Sequence, residues 1–247
     1  MSLEFESDLH THTIYSHGRG TIEDNVKAAI AKGLKTIGIS DHGPAHIGFG
    51  VSRKKMAEMK AEILRLRRIY TEIEILFGVE ANILTPSGNL DINLDEIDYF
   101  DFVCAGWHYG ALDGMSPAGM IRTFENFTRS TPARATKKQL RRNTDAIVHA
   151  INTYDILFLT HPGDKAPIDL LEVAAACVKR GTYLEINTSH MSLTSEDIKL
   201  LELTDVKYIV NSDAHKPKRV GDFDRGIDLI NLSKLDHKRI ANLKKTD

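Results

Sequence analysis

Residues 21–42 read TIEDNVKAAIAKGLKTIGISDH. Thr21-Ile22-Glu23-Asp24 has the form of a capped helix start, in which a Thr hydroxyl and a carboxylate three residues on satisfy free N–H groups reciprocally. Val26, Ala29 and Ile30 follow at helical spacing, and Gly33 supplies the stop. Thr36-Ile37-Gly38-Ile39-Ser40 is then a short apolar strand that ends in Asp41-His42. A strand over Phe5 to His10 precedes the helix. Strand, helix and strand in this order make the crossover unit of a parallel sheet.

The alternation continues along the chain. Ser52 caps a long helix with Met56, Met59, Ile63, Leu66 and Ile69 spaced by three and four. Further strands are expected over 74–80, 100–107, 156–161, 183–187 and 206–211, and Pro86-Ser87-Gly88-Asn89 marks a turn. A basic stretch over 122–142 leads into a helix that ends near Asn152. Helices are also expected over 168–180, from Thr194, over 224–232 and over 236–243. The seven strand segments are apolar runs without strict alternation, as in sheets buried on both faces. A closed barrel and a doubly wound open sheet both satisfy this pattern. No G-x-G-x-x-G turn or P-loop follows a strand, so dinucleotide and P-loop chemistry lose support.

The C-terminal ends of these strands carry the chemistry. They end in Asp8-Leu9-His10-Thr11-His12 with His17 just after, in Asp41-His42, in Glu80, in His108, in His161, in Glu185-Ile186-Asn187 with His190 beyond, and in Asp213-Ala214-His215. In a βα barrel these ends share one rim, where active sites are built. A single His after a strand is most often a capped or hydrogen-bonded histidine. Eight of the 11 His lie near strand ends on one side, with Asp41, Glu80 and Asp213 among them, and this constellation points to a metal cluster. Imidazoles and carboxylates without thiolates suit Zn, Mn or Fe. So many ligands fit two or three ions, with Glu80 as a bridge. Clustered divalent ions favour phosphoester hydrolysis first and hydrolysis at carbon second.

Composition sets the outer bounds. The 247 residues are 42% hydrophobic and 27% charged, with a net charge of −2, and show no global pull toward nucleic acid or anionic membrane. A barrel of this length is expected as a single domain over 1–247. No apolar run is long enough to span a membrane, and the first residues lack a signal-peptide pattern, so a cytoplasmic location is expected. Met1-Ser2-Leu3 has the look of an expression remnant. Cys104 and Cys177 sit in separate apolar stretches and are expected as buried thiols.

In order, Asp8-Leu9-His10-Thr11-His12, Ser40-Asp41-His42-Gly43, Gly78-Val79-Glu80, His108, Thr160-His161-Pro162 and Ser212-Asp213-Ala214-His215 resemble the motifs of the PHP (polymerase and histidinol phosphatase) family. The resemblance runs from residue 8 to about 222. It implies a distorted (β/α)7 TIM-like barrel and three divalent ions, Zn, Mn or Fe. His10, His12, Glu80 and Asp213 would hold the first, Glu80, His108 and His161 the second, and His17, His42 and His215 the third. Among PHP proteins the chain looks most like the small stand-alone phosphatases. That implies a metal-dependent phosphomonoesterase in which a metal-bound hydroxide attacks the phosphorus of a small phosphorylated metabolite.

Glu80 and Asp213 are the expected catalytic carboxylates, and His190 the expected substrate contact or leaving-group acid. Asp41 is a candidate to orient His42. Arg19, Arg53 and Arg219 are candidate phosphate contacts. His46, His149 and His237 read as structural or surface residues, and Trp107 as packing. Residues 122–142 hold seven basic residues against Glu125, a net +6. That run is either a solvated face or an overhang that steers anions, and it sustains the alternative of a phosphodiesterase or exonuclease acting on nucleic acid.

Overall fold

The computed structural model of the chain describes residues 3–111, 117–131 and 133–244. Met1 and Ser2 of the expected remnant lie outside them. In chain order the elements are β1 (Ser7–Asp8), α1 (Ile22–Ala31), β2 (Thr36–Ile39), α2 (Arg53–Ile69), β3 (Glu74–Asn82), β4 (Phe102–Gly106), α3 (Pro117–Thr128), α4 (Lys137–Thr153), β5 (Phe158–Leu159), α5 (Leu170–Arg180), β6 (Tyr183–Asn187), α6 (Ser195–Leu201), β7 (Tyr208–Asn211) and α7 (Asp224–Ser233). The caps expected at Thr21 and Ser52 are present, and Gly181 ends α5 in the left-handed conformation.

The strands pair in parallel and in sequence order, β1-β2-β3-β4-β5-β6-β7, with no strand-order reversal. That order selects the barrel over the doubly wound sheet. Thr11 and Ala214 form a parallel bridge at the C-terminal rim, which brings the two ends of the sheet together. The fold is a nearly closed, distorted (β/α)7 TIM-like barrel.

The seam between β1 and β7 is where the distortion lies. Side chains there replace a regular ladder. Asn211 Oδ1 accepts from the Leu9 N–H at 2.9 Å, and Asp8 Oδ1 accepts from the Ser212 N–H at 3.1 Å. Asn242 ties the lower end, donating to the carbonyls of Ser7 (2.8 Å) and Val210 (2.7 Å) and accepting from the Val210 N–H. This corrects the helix expected over 236–243. His237–Arg239 is one 3-10 turn, and beyond it Ile240 bridges Tyr208 and Leu243 bridges Phe5 on either side of a turn at 241–242. The segment's backbone satisfies its hydrogen bonds on the sheet edges instead of within a helix. The basic stretch also differs from expectation, since it is split between α3 and α4.

Two apolar cores result. The larger lies between barrel and helices, and the smaller, of Leu9, Phe102, Cys104, Phe158 and Ile209, plugs the barrel interior. Phe102 fills the centre, and a Cβ at Gly78 would stand only 2.2 Å from its ring, so β3 needs glycine there. Strand alternation then turns Glu80 inward above the plug. Cys104 and Cys177 are free and buried. Among the described residues, no helix is long and apolar enough to cross a membrane.

Candidate metal centre

Strand ends deliver the polar layer directly above the Phe102 plug. His10 and His12 flank the Thr11 bridge, His42 pairs with Glu80 in a parallel bridge, and His108 and His161 stand two residues beyond β4 and β5. His161 (φ 29°) and Asp213 (φ 50°) have left-handed backbones although neither is glycine. Backbone strain of that kind persists where the surroundings fix it, and it clusters at working sites.

Glu80 stands at the middle. Its Oε1 lies 3.1 Å from His108 Nε2, 3.1 Å from His161 Nε2 and 3.3 Å from His10 Nε2. Its Oε2 lies 2.9 Å from His42 Nδ1 and 3.5 Å from His12 Nε2. Asp213 Oδ1 is 3.2 Å from His12 Nε2 and 3.6 Å from His10 Nε2, and the two Nε2 atoms are 3.2 Å apart. Ligand atoms about 2.0–2.1 Å from a tetrahedral ion stand about 3.3 Å from one another. The spacing among His10, His12 and Asp213 therefore fits a cation, with the Glu80 carboxylate beside it. Glu80 Oε2 and Asp213 Oδ1 are buried without any hydrogen-bond donor, a costly state that a cation would relieve. His108 and His161, with Nε2 atoms 3.2 Å apart, flank Glu80 on the other side. At the rim, His17 Nε2 and His215 Nε2 are 2.5 Å apart, and the His17 ring stacks on His42 at 4.9 Å. Among the described residues, three groups have mutually close donor atoms: His12 with His17 and His42, His10 with His12 and Asp213, and His42 with Glu80 and His108.

Outer partners fix the rings. His10 Nδ1 donates to Glu185 Oε1 at 2.7 Å, His108 Nδ1 to Asn82 Oδ1 at 2.8 Å and His215 Nδ1 to the Asp213 carbonyl at 2.9 Å. Each bond leaves the Nε2 lone pair facing the centre, the arrangement of metal-ligating histidines. Asn82 is held in turn by the buried Asp91 carboxylate. A Cβ at Gly43 would stand 2.4 Å from that carboxylate, so glycine is required after His42.

Burial, reinforced by His215 and His42, brings the His17 imidazole down to about 3. Burial likewise brings His108 and His46 down to about 4. These rings are neutral, as ligation requires. At His10 burial opposes the charged form, but the Glu185, Asp213 and Glu80 carboxylates outweigh it and raise the ring well above the imidazole range. Burial also opposes ionisation of Glu80, yet His108, His10 and His42 hold it well below the carboxylate range.

The structure thus gathers His10, His12, His17, His42, Glu80, His108, His161, Asp213 and His215 into one ring. His190 borders the same cleft, half exposed, with Nδ1 3.5 Å from Asp164 and Nε2 3.8 Å from Asp213. Asp41 does not orient His42. It accepts from the Thr13 N–H and hydroxyl and from Ser16, which shapes the loop that carries His17. His46, read from sequence as structural or surface, lines the cleft with its ring stacked on His42 at 5.1 Å. Its Nδ1 accepts the Phe49 N–H at 3.3 Å, so its neutral form carries the proton on Nε2, the opposite tautomer to His10, His108 and His215. His149 and His237 are exposed. Trp107 is packing, with the Arg122 guanidinium 4.6 Å over its ring.

Arg53 and Arg219 are engaged elsewhere, with Glu96 and Asp222. The Arg19 side chain is exposed, and only its N–H touches the site loop, at the His215 carbonyl. Within the basic run, Arg141 pairs with Glu172 and Asp145, and Arg142 with Glu125. Glu185, Asn82, Asp91 and Lys165 escaped the sequence reading as site residues. The Glu185-Ile186-Asn187 strand end was the one local signal for them.

A family profile described as PHP domain matches residues 8–189. The chain is 30% identical to a protein of Shewanella piezotolerans named "Probable phosphatase", over 97% of this chain and 90% of that one. It is 32% identical to a protein of the same description from Thermoanaerobacter sp., over 90% of this chain and 84% of that one. A crystal structure of histidinol phosphate phosphatase from Lactococcus lactis, complexed with zinc, L-histidinol and phosphate, superposes with a TM-score of 0.63. The two chains share 17% identity over 97% of this chain and 99% of that one, a likeness of fold.

Proposed function

The chain belongs to the PHP domain family, and on that premise we propose that this metal-dependent phosphoester hydrolase is a phosphomonoesterase acting on a small phosphorylated metabolite at a centre of three divalent ions. The observation that carries the reading is Glu80, a buried carboxylate with five imidazoles facing its two oxygens. His10, His12, Glu80 and Asp213 would hold one ion, Glu80, His108 and His161 a second, and His17, His42 and His215 a third. The ions, as Zn, Mn or Fe, supply Lewis acidity and a water of lowered pKa.

The chain's own groups do the rest. Glu80 and Asp213 stay ionised and fix the charge of the centre. Glu185, Asn82 and the Asp213 carbonyl hold imidazoles with their lone pairs inward. The apolar plug below closes the barrel to water, so the ester enters only from the rim. His190 stands at that rim, where it can hydrogen-bond the leaving oxygen. The cleft, about 200 Å³, suits a small ester, and none of the basic residues of 122–142 lines it, which weakens the case for a nucleic-acid groove. The relative crystallised with L-histidinol and phosphate makes an amino-alcohol phosphate a natural first substrate to try. We read residues 1–247 as one domain.

The test is inorganic phosphate release from phosphomonoesters, including histidinol phosphate, sugar phosphates and mononucleotides, beside p-nitrophenol release from bis-p-nitrophenyl phosphate as the diester. The reading expects turnover of at least one monoester well above the diester. Turnover of diesters alone would replace it with the phosphodiesterase reading.

A further inference from the structure

Lys165 is the only Lys or Arg among the described residues that lines the cleft over the ligand ring. A turn after β5 puts it there. His161 (φ 29°) and Gly163 (φ 88°) both take left-handed backbones, and the Asp164 N–H closes back on the His161 carbonyl at 3.1 Å. The chain therefore doubles back over the rim directly after a ligand. Asp164 holds the Lys165 ammonium in an ion pair. The Asp164 Oδ2 also lies 3.5 Å from His190 Nδ1, and Lys165 Nζ stands 5.9 Å from the Tyr109 ring centroid. The ammonium is thus restrained at the cleft wall, with 26% of the side chain exposed.

Resting on the phosphomonoesterase reading, we infer that Lys165 binds the substrate's phosphoryl group. A monoester dianion has three terminal oxygens, and a diester has two. Cations in the ring below would take oxygens on the inner side. Lys165 offers a charged donor from the rim to an outward-facing oxygen, and a compact ammonium serves a phosphate as a point charge. Asp164 holds the ammonium while the cleft is empty. The other basic residues nominated by sequence do not line this cleft.

The test compares wild type, Lys165→Ala and Lys165→Arg as metal-loaded full chains. Three quantities are read: metal content, affinity for inorganic phosphate by calorimetry, and KM against kcat for the best monoester. A charged hydrogen bond of this kind carries about tenfold or more in affinity. Lys165→Ala should weaken phosphate binding by about tenfold and raise KM similarly, with metal content unchanged, and Lys165→Arg should recover most of the loss. Phosphate affinity within about twofold of wild type in Lys165→Ala would overturn the inference. So would loss of metal in that variant, since Lys165 would then act through the ligand ring. Should the wild type hydrolyse no monoester, the functional reading falls, and phosphate binding alone still decides the role of Lys165.

Discussion

Glu185 Oε1 lies 2.7 Å from His10 Nδ1, and neither side chain is exposed to solvent. The same carboxylate accepts from Asn211 Nδ2 at 3.0 Å, from the His161 N–H at 2.7 Å and from Asn187 Nδ2 at 2.9 Å. One buried anion thereby orients two candidate ligands and ties β6 to β5 and β7.

Glu185→Gln keeps the shape and removes the charge. Outer partners of this kind are worth about 10- to 100-fold in metal affinity. Competition with a chelator should show zinc affinity weakened by that range, with the fold intact by circular dichroism. Unchanged affinity would make Glu185 a packing residue only.

Glu80 is shared by two of the proposed ion sites, so Glu80→Gln should do more harm than loss of any single rim imidazole. Elemental analysis should find at least one ion fewer per chain, and kcat should fall by about a hundredfold or more. His17→Ala, at the rim, should cost no more than the third ion. Equal metal content in wild type and Glu80→Gln would break the bridging assignment.

Much of this architecture is legible in the sequence because its signals are local. The Thr21 and Ser52 caps, the Gly33 and Gly181 stops and the apolar runs of β2, β3 and β7 each need only neighbouring residues. His-x-His and Asp-Ala-His at strand ends announce the ring for the same reason. What stays hidden depends on distant partners. β1 shrinks to two residues because the Asp8 and Asn211 side chains take over its pairing, and β5 stops short where His161 turns left-handed and gives its N–H to Glu185. Asn242 looks helical until the sheet edges that it bonds are known. His46 and Lys165 carry no motif, and only the loop paths after β2 and β5 bring them to the cleft.

Asn242→Ala tests the seam. The amide makes three hydrogen bonds at a site 5% exposed, and its loss strands buried backbone groups. Destabilisation of about 1–3 kcal/mol is expected, read as a lower midpoint in chemical denaturation. A midpoint equal to wild type would show that water or a shifted backbone replaces the amide.

Lys234 ends α7 with φ 56°, a conformation in which a side chain is strained and glycine is not. Its side chain is exposed. Lys234→Gly should therefore stabilise the protein by up to about 1 kcal/mol and raise Tm by about 2–4 °C. A lower Tm would mean that the lysine contributes more through its side chain than its backbone costs.

The central claim is that the His, Glu and Asp ring works by holding divalent cations that hydrolyse a phosphoester. Its most direct test is phosphate release by one preparation in three states: as purified, after stripping by chelator, and after add-back of Mn²⁺ or Zn²⁺. Release on the best monoester, loss on stripping and recovery on add-back are expected. Release that survives complete removal of metal would contradict it.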